Sequence, residues 1–150
     1  MTRKLVRLGE FMPYRLSITS NAVSDLIARE YRSKFGLKIA EWRVMAVLGD
    51  VGEMTQRELV AATRMDKVAV NRATKTLEER ALIVRNPNAR DGRSHHLTLT
   101  GAGKALHAEI MPLAMDMESR IIGALSEAEQ ATLAEMLERL LRRADSIADQ

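Results

Sequence analysis

The chain has no cysteine. That absence removes disulfides, thiol redox sensing, thiolate metal ligation and cysteine nucleophiles together, and nothing here asks for an oxidising compartment. Long apolar runs are missing as well. None approaches the ~18 residues of a membrane span. Met1 to Arg7 is basic, as the start of a secretory signal would be, but Gly9, Glu10, Pro13 and Arg15 break up the apolar stretch that should follow. The expected location is cytoplasmic, with no membrane partner. There is no paired-carboxylate motif, glycine-rich phosphate loop, metal-ligand cluster or nucleophile–base arrangement. The chain is therefore not expected to be an enzyme, and no catalytic residue, metal site or cofactor is expected. The three histidines do not change this. His95 and His96 are strand neighbours pointing to opposite faces, so they do not share a metal, and His107 stands apart. Ser94 beside His95 lacks an orienting carboxylate. No internal repeat or low-complexity segment is visible.

What is present suits one folded domain over residues 1–150. A chain of this length buries roughly 68–70% of its unfolded surface. Net charge is only +3, but its distribution is uneven. From Arg57 to Lys104 there are 10 Lys/Arg against 5 Asp/Glu, whereas from Ala105 onward there are 4 against 9. A basic middle suits a phosphate backbone, and it also fits a plain solvated charged face.

The pattern is mainly helical. A first helix starts near Met12 or Pro13, carries Leu16, Val23, Leu26, Ile27, Tyr31 and Phe35 at helical spacing, and stops at Gly36. A second runs from about Ile39 to Asp50. Thr55-Gln56-Arg57-Glu58 is a capping box that opens a short third helix, with Leu59, Val60 and Ala62 expected inside. Asp66 caps a fourth helix, Lys67 to about Arg80. Val70, Ala73, Thr74 and Leu77 share one face of it, and Val68, Asn71, Arg72 and Lys75 the other. Leu82–Arg85 and His95–Leu99 read as strands, joined by Asn86-Pro87-Asn88-Ala89-Arg90-Asp91-Gly92-Arg93-Ser94, which is hairpin-loop chemistry. A fifth helix extends from Thr100 to about Leu125 with a kink expected at Pro112. A second capping box, Ser126 to Glu129, opens the last helix, and its Leu133, Met136, Leu137, Leu140, Leu141, Ala144 and Ile147 form an apolar stripe.

A short helix, a turn, a second helix and a basic hairpin form a combination that reads DNA. A helix fits the major groove, and a basic loop beside it reaches the minor groove or backbone. Asn71 and Arg72 are expected at base edges, since Asn pairs with adenine and Arg with guanine. Lys67, Val68 and Lys75 share that face, with Lys75 on phosphate. Thr55 and Gln56 are expected on phosphate through the third helix's N-terminus, although capping alone also accounts for Thr55. Arg93 and Arg90 sit at the hairpin tip, either as ordinary loop arginines or as groups drawn to the negative potential of a narrow minor groove, with Arg90 the better placed for backbone. The stripe Leu133, Met136, Leu137, Leu140, Leu141 and Ala144 is either an intrachain core or a dimer interface. A homodimer matches a palindromic operator with half-sites ~34–36 Å apart. Nine methionines, Met111, Met115, Met117 and Met136 among them, are core filler or adaptable pocket lining.

Helix–turn–helix, then Asp91-Gly92-Arg93-Ser94, then Leu97-Thr98-Leu99-Thr100 with Gly103, resembles the MarR family of bacterial transcription regulators. Glu41-Trp42-Arg43-Val44-Met45-Ala46-Val47-Leu48 and Leu77-Glu78-Glu79-Arg80 followed by Leu82-Ile83 resemble it too. The resemblance implies a mainly α winged helix-turn-helix with a two- to three-stranded wing sheet over about 39–100. It implies dimerisation helices over about 10–36 and 103–148, entwined between two chains. It places Arg93 in the minor groove with Asp91 supporting it, and the fourth helix in the major groove. It puts an effector pocket between the dimer helices and the winged module, where Met12, Tyr14, Arg15, Asn21 and Trp42 would contribute. Arg15 suits an anionic effector such as an aromatic carboxylate or its thioester, and a solvated arginine is the alternative. Ala81 departs from the family, in which glycine often follows the recognition helix, and a different helix end is expected there. Gly101-Ala102 before Gly103 replaces residues that are often charged. The expected function is a ligand-responsive repressor acting on double-stranded DNA. The alternative is a winged-helix protein-interaction module with only non-specific DNA affinity.

Overall fold

The computed structural model describes residues 7–87 and 94–150. The chain divides after Leu113 into two compact units. In the first, a short 3-10 turn, Leu8–Glu10, leads into α1 (Met12–Phe35), and α2 (Ile39–Val51), β1 (Glu53–Thr55), α3 (Gln56–Thr63), α4 (Lys67–Glu79), β2 (Ile83–Pro87), β3 (His95–Leu99) and α5 (Gly101–Ile122) follow. The second unit holds the last turns of α5 and all of α6 (Glu127–Ala148). This is the mainly α winged helix the sequence implied. Among the described residues, no helix is long and apolar enough to cross a membrane.

Local chemistry sets the boundaries. Pro13 lies in the first turn of α1, where its missing N–H costs nothing, and Gly36 ends the helix at φ 63°. The Leu37 N–H then folds back onto the Tyr31 carbonyl, carrying Leu37 into the core. Thr55 caps α3 by accepting the Glu58 N–H, and Asp66 caps α4 by accepting the Ala69 N–H. In the first cap the Glu58 carboxylate accepts the Thr55 hydroxyl, not the Thr55 backbone N–H that the capping-box reading implied.

The core of the first unit joins Tyr31, Leu37, Val44, Met45, Leu48, Leu59, Val70, Leu77, Ile83 and Leu97, all nearly or fully buried. Each such aliphatic side chain contributes roughly 1.5–3 kcal/mol relative to exposure. Ala62 departs from the expectation and is exposed: on so short a helix Leu59 fills the inward position and Val60 is only half-buried. The sheet has the order β1-β3-β2 and is antiparallel throughout. β1 pairs Met54 with Leu97, and β2 pairs Ile83 with Leu99. The second strand starts at Ile83, not Leu82, because Leu82 is held in the end of α4.

That end organises the unit. The Leu82 N–H bonds the Leu77 carbonyl and the Ala81 N–H bonds the Glu78 carbonyl, closing α4 in a Schellman motif. Ala81 occupies the left-handed position itself, at φ 57°. The helix end is thus the one glycine would make, reached with an alanine. Thr100 comes in from β3: its N–H donates to the Leu82 carbonyl, its hydroxyl donates to the Ala81 carbonyl, and the same oxygen accepts the Gly103 N–H. α5 begins so close to this point that a Cβ on Gly103 would lie 2.0 Å from the Leu82 carbonyl oxygen.

In the second unit Gly123 ends α5 at Ile122, before the Leu125 expected from sequence, and a Cβ there would lie 2.3 Å from the Ser119 oxygen. Ser126 and Glu129 form a reciprocal cap on α6. The hydrogen bonds from Ser126 hold the Glu129 carboxyl below its ordinary range. That cap is therefore complete above the ordinary carboxylate pKa and is lost as pH falls through the lowered one. No residue of α6 is buried.

Two swaps at the α4 junction should have opposite signs in urea unfolding. Ala81→Gly removes the left-handed penalty and adds about 1 kcal/mol of stability. Gly103→Ala forces Cβ onto a carbonyl oxygen and lowers stability by roughly 1–3 kcal/mol, against the small gain alanine normally brings to a helix.

Candidate nucleic-acid interface

The buried stripe of α4 comprises Val70, Ala73, Thr74 and Leu77. Anchoring that face turns Lys67, Val68, Asn71, Arg72 and Lys75 outward, and all five are exposed. They recur along one helical stripe and carry three cations, one amide and one branched apolar group. Val68 is 61% exposed and stands among polar neighbours.

Gln56, at the first position of α3, reaches this surface. Its Nε2 donates to Asn71 Oδ1 at 2.8 Å and to Thr74 Oγ1 at 3.0 Å. Its Oε1 accepts from Arg85 Nη2 at 3.4 Å, and the same nitrogen donates to Glu78 Oε1 at 2.8 Å. Gln56 therefore ties the start of α3, the exposed face of α4 and strand β2 together around an open cleft of about 430 Å³. Sequence reading placed Gln56 at this surface but missed Arg85, Glu78 and Thr74. Arg85 reads as an ordinary strand charge, and only the antiparallel return of β2 brings it back beside α4.

Arg80 is committed elsewhere. Its guanidinium donates to the Phe35 and Gly36 carbonyls, both at 3.2 Å, at the C-terminal end of α1. A cation there also answers the negative end of the helix dipole. His96 lies 3.7 Å from Glu53 across the β1–β3 pair, and His95 is exposed. Arg90, Asp91 and Arg93 lie outside the described residues.

The five residues considered for an effector are not gathered in one chain. Met12, Tyr14, Arg15 and Asn21 are exposed on the first turns of α1, and Arg15 Nε donates to the Gly9 carbonyl. Trp42 is buried, with its ring 5.5 Å from Tyr31 and 5.4 Å from His107. At 1.5 Å rise per residue, Tyr31 lies about 24 Å along α1 from Arg15 and about 15 Å from Asn21. In the candidate dimer stripe Leu133 is half-buried, while Met136, Leu137, Leu140, Leu141 and Ala144 are exposed.

Comparison with known proteins agrees with this geometry. A family profile described as MarR family matches residues 35–94, the stretch from the end of α1 into the wing. A crystal structure of a MarR/EmrR family transcriptional regulator from Acinetobacter sp. ADP1 superposes with a TM-score of 0.87 at 26% identity, covering 94% of this chain and 99% of that one. A MarR mutant from E. coli, crystallised with operator DNA, superposes at 0.75 with 26% identity over 85% of this chain and 91% of that one. The HTH-type transcriptional repressor NicR of Pseudomonas putida is 27% identical over 97 residues, which is 65% of this chain and 61% of NicR. The chain thus spans less than two thirds of that repressor's length. The chain shares its winged-helix fold with transcription regulators, one of them crystallised with operator DNA. Over residues 35–94 the chain is similar to the MarR family.

The two caps that position α3 and α4 are separable from the exposed face. Thr55→Ala and Asp66→Ala should each lower stability by about 1 kcal/mol in urea unfolding. Losses below a few tenths would show that packing, not capping, fixes these helix starts.

Proposed function

We propose that the chain is a homodimeric, ligand-responsive repressor that binds a palindromic operator in the cytoplasm. The observation that carries this reading is the exposed stripe of α4, held outward by the buried stripe opposite and braced by Gln56. Lys67, Val68, Asn71, Arg72 and Lys75 enter the major groove, with Asn71 and Arg72 at base edges and Lys75 on phosphate. Thr55 and Gln56 meet backbone at the start of α3. Arg93, supported by Asp91, enters the minor groove and Arg90 meets the backbone beside it. NicR, named a repressor, is a relative over 97 residues, and occupancy of an operator is the simplest route to repression.

The dimer reading rests on surface that the chain leaves uncovered. Leu16 and Ile18 of α1, and Met136, Leu137, Leu140 and Leu141 of α6, are each 42–50% exposed. Apolar residues repeated on one helix face need a cover, and a second copy supplies a self-complementary one. The proposed effector is an aromatic carboxylate or its thioester. Arg15 would contact its anionic group through the two Nη nitrogens, beside Met12 and Tyr14. Trp42 belongs to the same site only if the partner chain contributes it. An effector releases DNA only to the extent that it binds the released geometry more tightly.

Arg93→Ala should lower operator affinity roughly tenfold or more, as loss of a groove contact typically does; a titration matching the unsubstituted chain would remove Arg93 from the interface. In sedimentation equilibrium the protein should behave as twice the 16.8 kDa chain mass. Leu137→Asp with Leu140→Asp should abolish that association. A 16.8 kDa species for the unsubstituted protein at micromolar concentration would contradict the dimer.

A further inference from the structure

Asparagine is the side chain best matched to adenine, because its Oδ1 accepts from adenine N6 while its Nδ2 donates to N7. In this chain that mode has a competitor, because one of the two acceptor positions of the Asn71 side-chain oxygen is engaged. Asn71 Oδ1 already accepts from Gln56 Nε2 at 2.8 Å. The question is then whether the Gln56 amide could turn over and release it, and two neighbours prevent that. Arg85 carries donors only, and its Nη2 faces Gln56 Oε1 at 3.4 Å. Thr74 has a single hydroxyl proton, directed at the Asn71 main-chain carbonyl at 3.1 Å, so towards Gln56 it can only accept. A reversed Gln56 would set its NH₂ against the Arg85 guanidinium, and its carbonyl against a hydroxyl that would have to give up its bond to the Asn71 main-chain carbonyl to donate. Glu78, 2.8 Å from the same Arg85 nitrogen, keeps the guanidinium in place.

We infer that Arg85 and Thr74 fix the amide polarity of Gln56, and through it that of Asn71, so that Asn71 meets the base pair as a donor and selects guanine over adenine. This rests on the reading of α4 as the DNA-reading helix. The consequence follows from the major-groove pattern. Guanine offers two acceptors, N7 and O6, to the two hydrogens of Asn71 Nδ2. Adenine offers one acceptor and sets its N6 amino group against a donor. Cytosine presents only a donor. Arg85, Thr74 and Glu78 are positioning residues in this account, acting through Gln56 without touching the base.

The test is selection of bound duplexes from a randomised library by the full chain and its variants. Asn71→Ala should flatten one base position, repeated in the two half-sites, and so identify the contact. At that position the unsubstituted chain should enrich guanine about tenfold over adenine, the scale of one good base contact. Gln56→Glu replaces the donating amide by a group that only accepts. Asn71 then turns its Nδ2 inward and its Oδ1 outward, and the preference at that single position should move to adenine or cytosine, alongside a uniform affinity loss from the added negative charge. Gln56→Met, which neither donates nor accepts and adds no charge, should bring guanine and adenine to parity. Adenine at the Asn71 position in the unsubstituted chain would overturn the inference. So would a guanine preference that persists in both Gln56 variants, or the absence of any position that responds to Asn71→Ala. Failure of the unsubstituted chain to select any sequence is a different result, and it would overturn the regulator reading itself.

Discussion

The structure of the winged helix depends on one junction, where Leu82 leaves α4. Three segments meet at two consecutive carbonyls. The Leu82 N–H closes α4, the Leu82 carbonyl accepts Thr100, and Thr100 binds Ala81 and starts α5 through Gly103. The direction of α4, the start of β2 and the first turn of α5 are therefore set by the same few atoms. Each of these backbone groups is paired. The absence of a Cβ at Gly103 lets the approach be this close. A small change at the junction would re-aim the exposed face of α4 relative to β2 and β3.

On that frame, function is distributed by what the core leaves over. Four buried residues of α4 fix five exposed ones. Three of the five are cations; on the proposed reading a lysine on phosphate gains affinity with no sequence preference, while Arg72 meets a base edge. Preference has to come from the remaining groups and from the geometry that orients them. The Gln56 network is the part of this surface in which donor and acceptor directions are over-determined, since one guanidinium and one hydroxyl both dictate the same amide orientation. On the proposed reading, electrostatics brings the surface to the duplex, and the Gln56 hydrogen-bond network, braced by the Arg85–Glu78 ion pair, decides how the duplex is read.

Much of this was legible in sequence, for identifiable reasons. The caps at Thr55, Asp66 and Ser126 are local chemistry, and each appears where its spacing implied. The two faces of α4 follow from a 3.6-residue period that tertiary packing does not disturb. Contacts made by chain return were not legible. Arg85 beside Gln56 requires knowing how far β2 turns back, and the need for Gly103 requires knowing that α5 starts against Leu82. β1 escaped because three residues that also lead into a helix cap carry no strand pattern of their own. Ala81 was recognised as a departure, but its outcome was misjudged: the bonds made by Leu82 and Thr100 hold an alanine in the left-handed position. The packing of Trp42 on Tyr31 is not legible in sequence either, and it places Trp42 about 24 Å along α1 from Arg15 within one chain.

The central claim is that this surface reads sequence and does not merely attract phosphate. It is tested most directly by titrating the full chain against the duplex upstream of its own coding region and against a scrambled duplex of equal composition, at low and at physiological salt. The account predicts a preference of about 10³-fold or more for the native duplex that persists as salt rises, while both absolute affinities fall. Equal binding to the two duplexes, collapsing together with salt, would contradict it and would favour a protein-interaction module that carries a basic face.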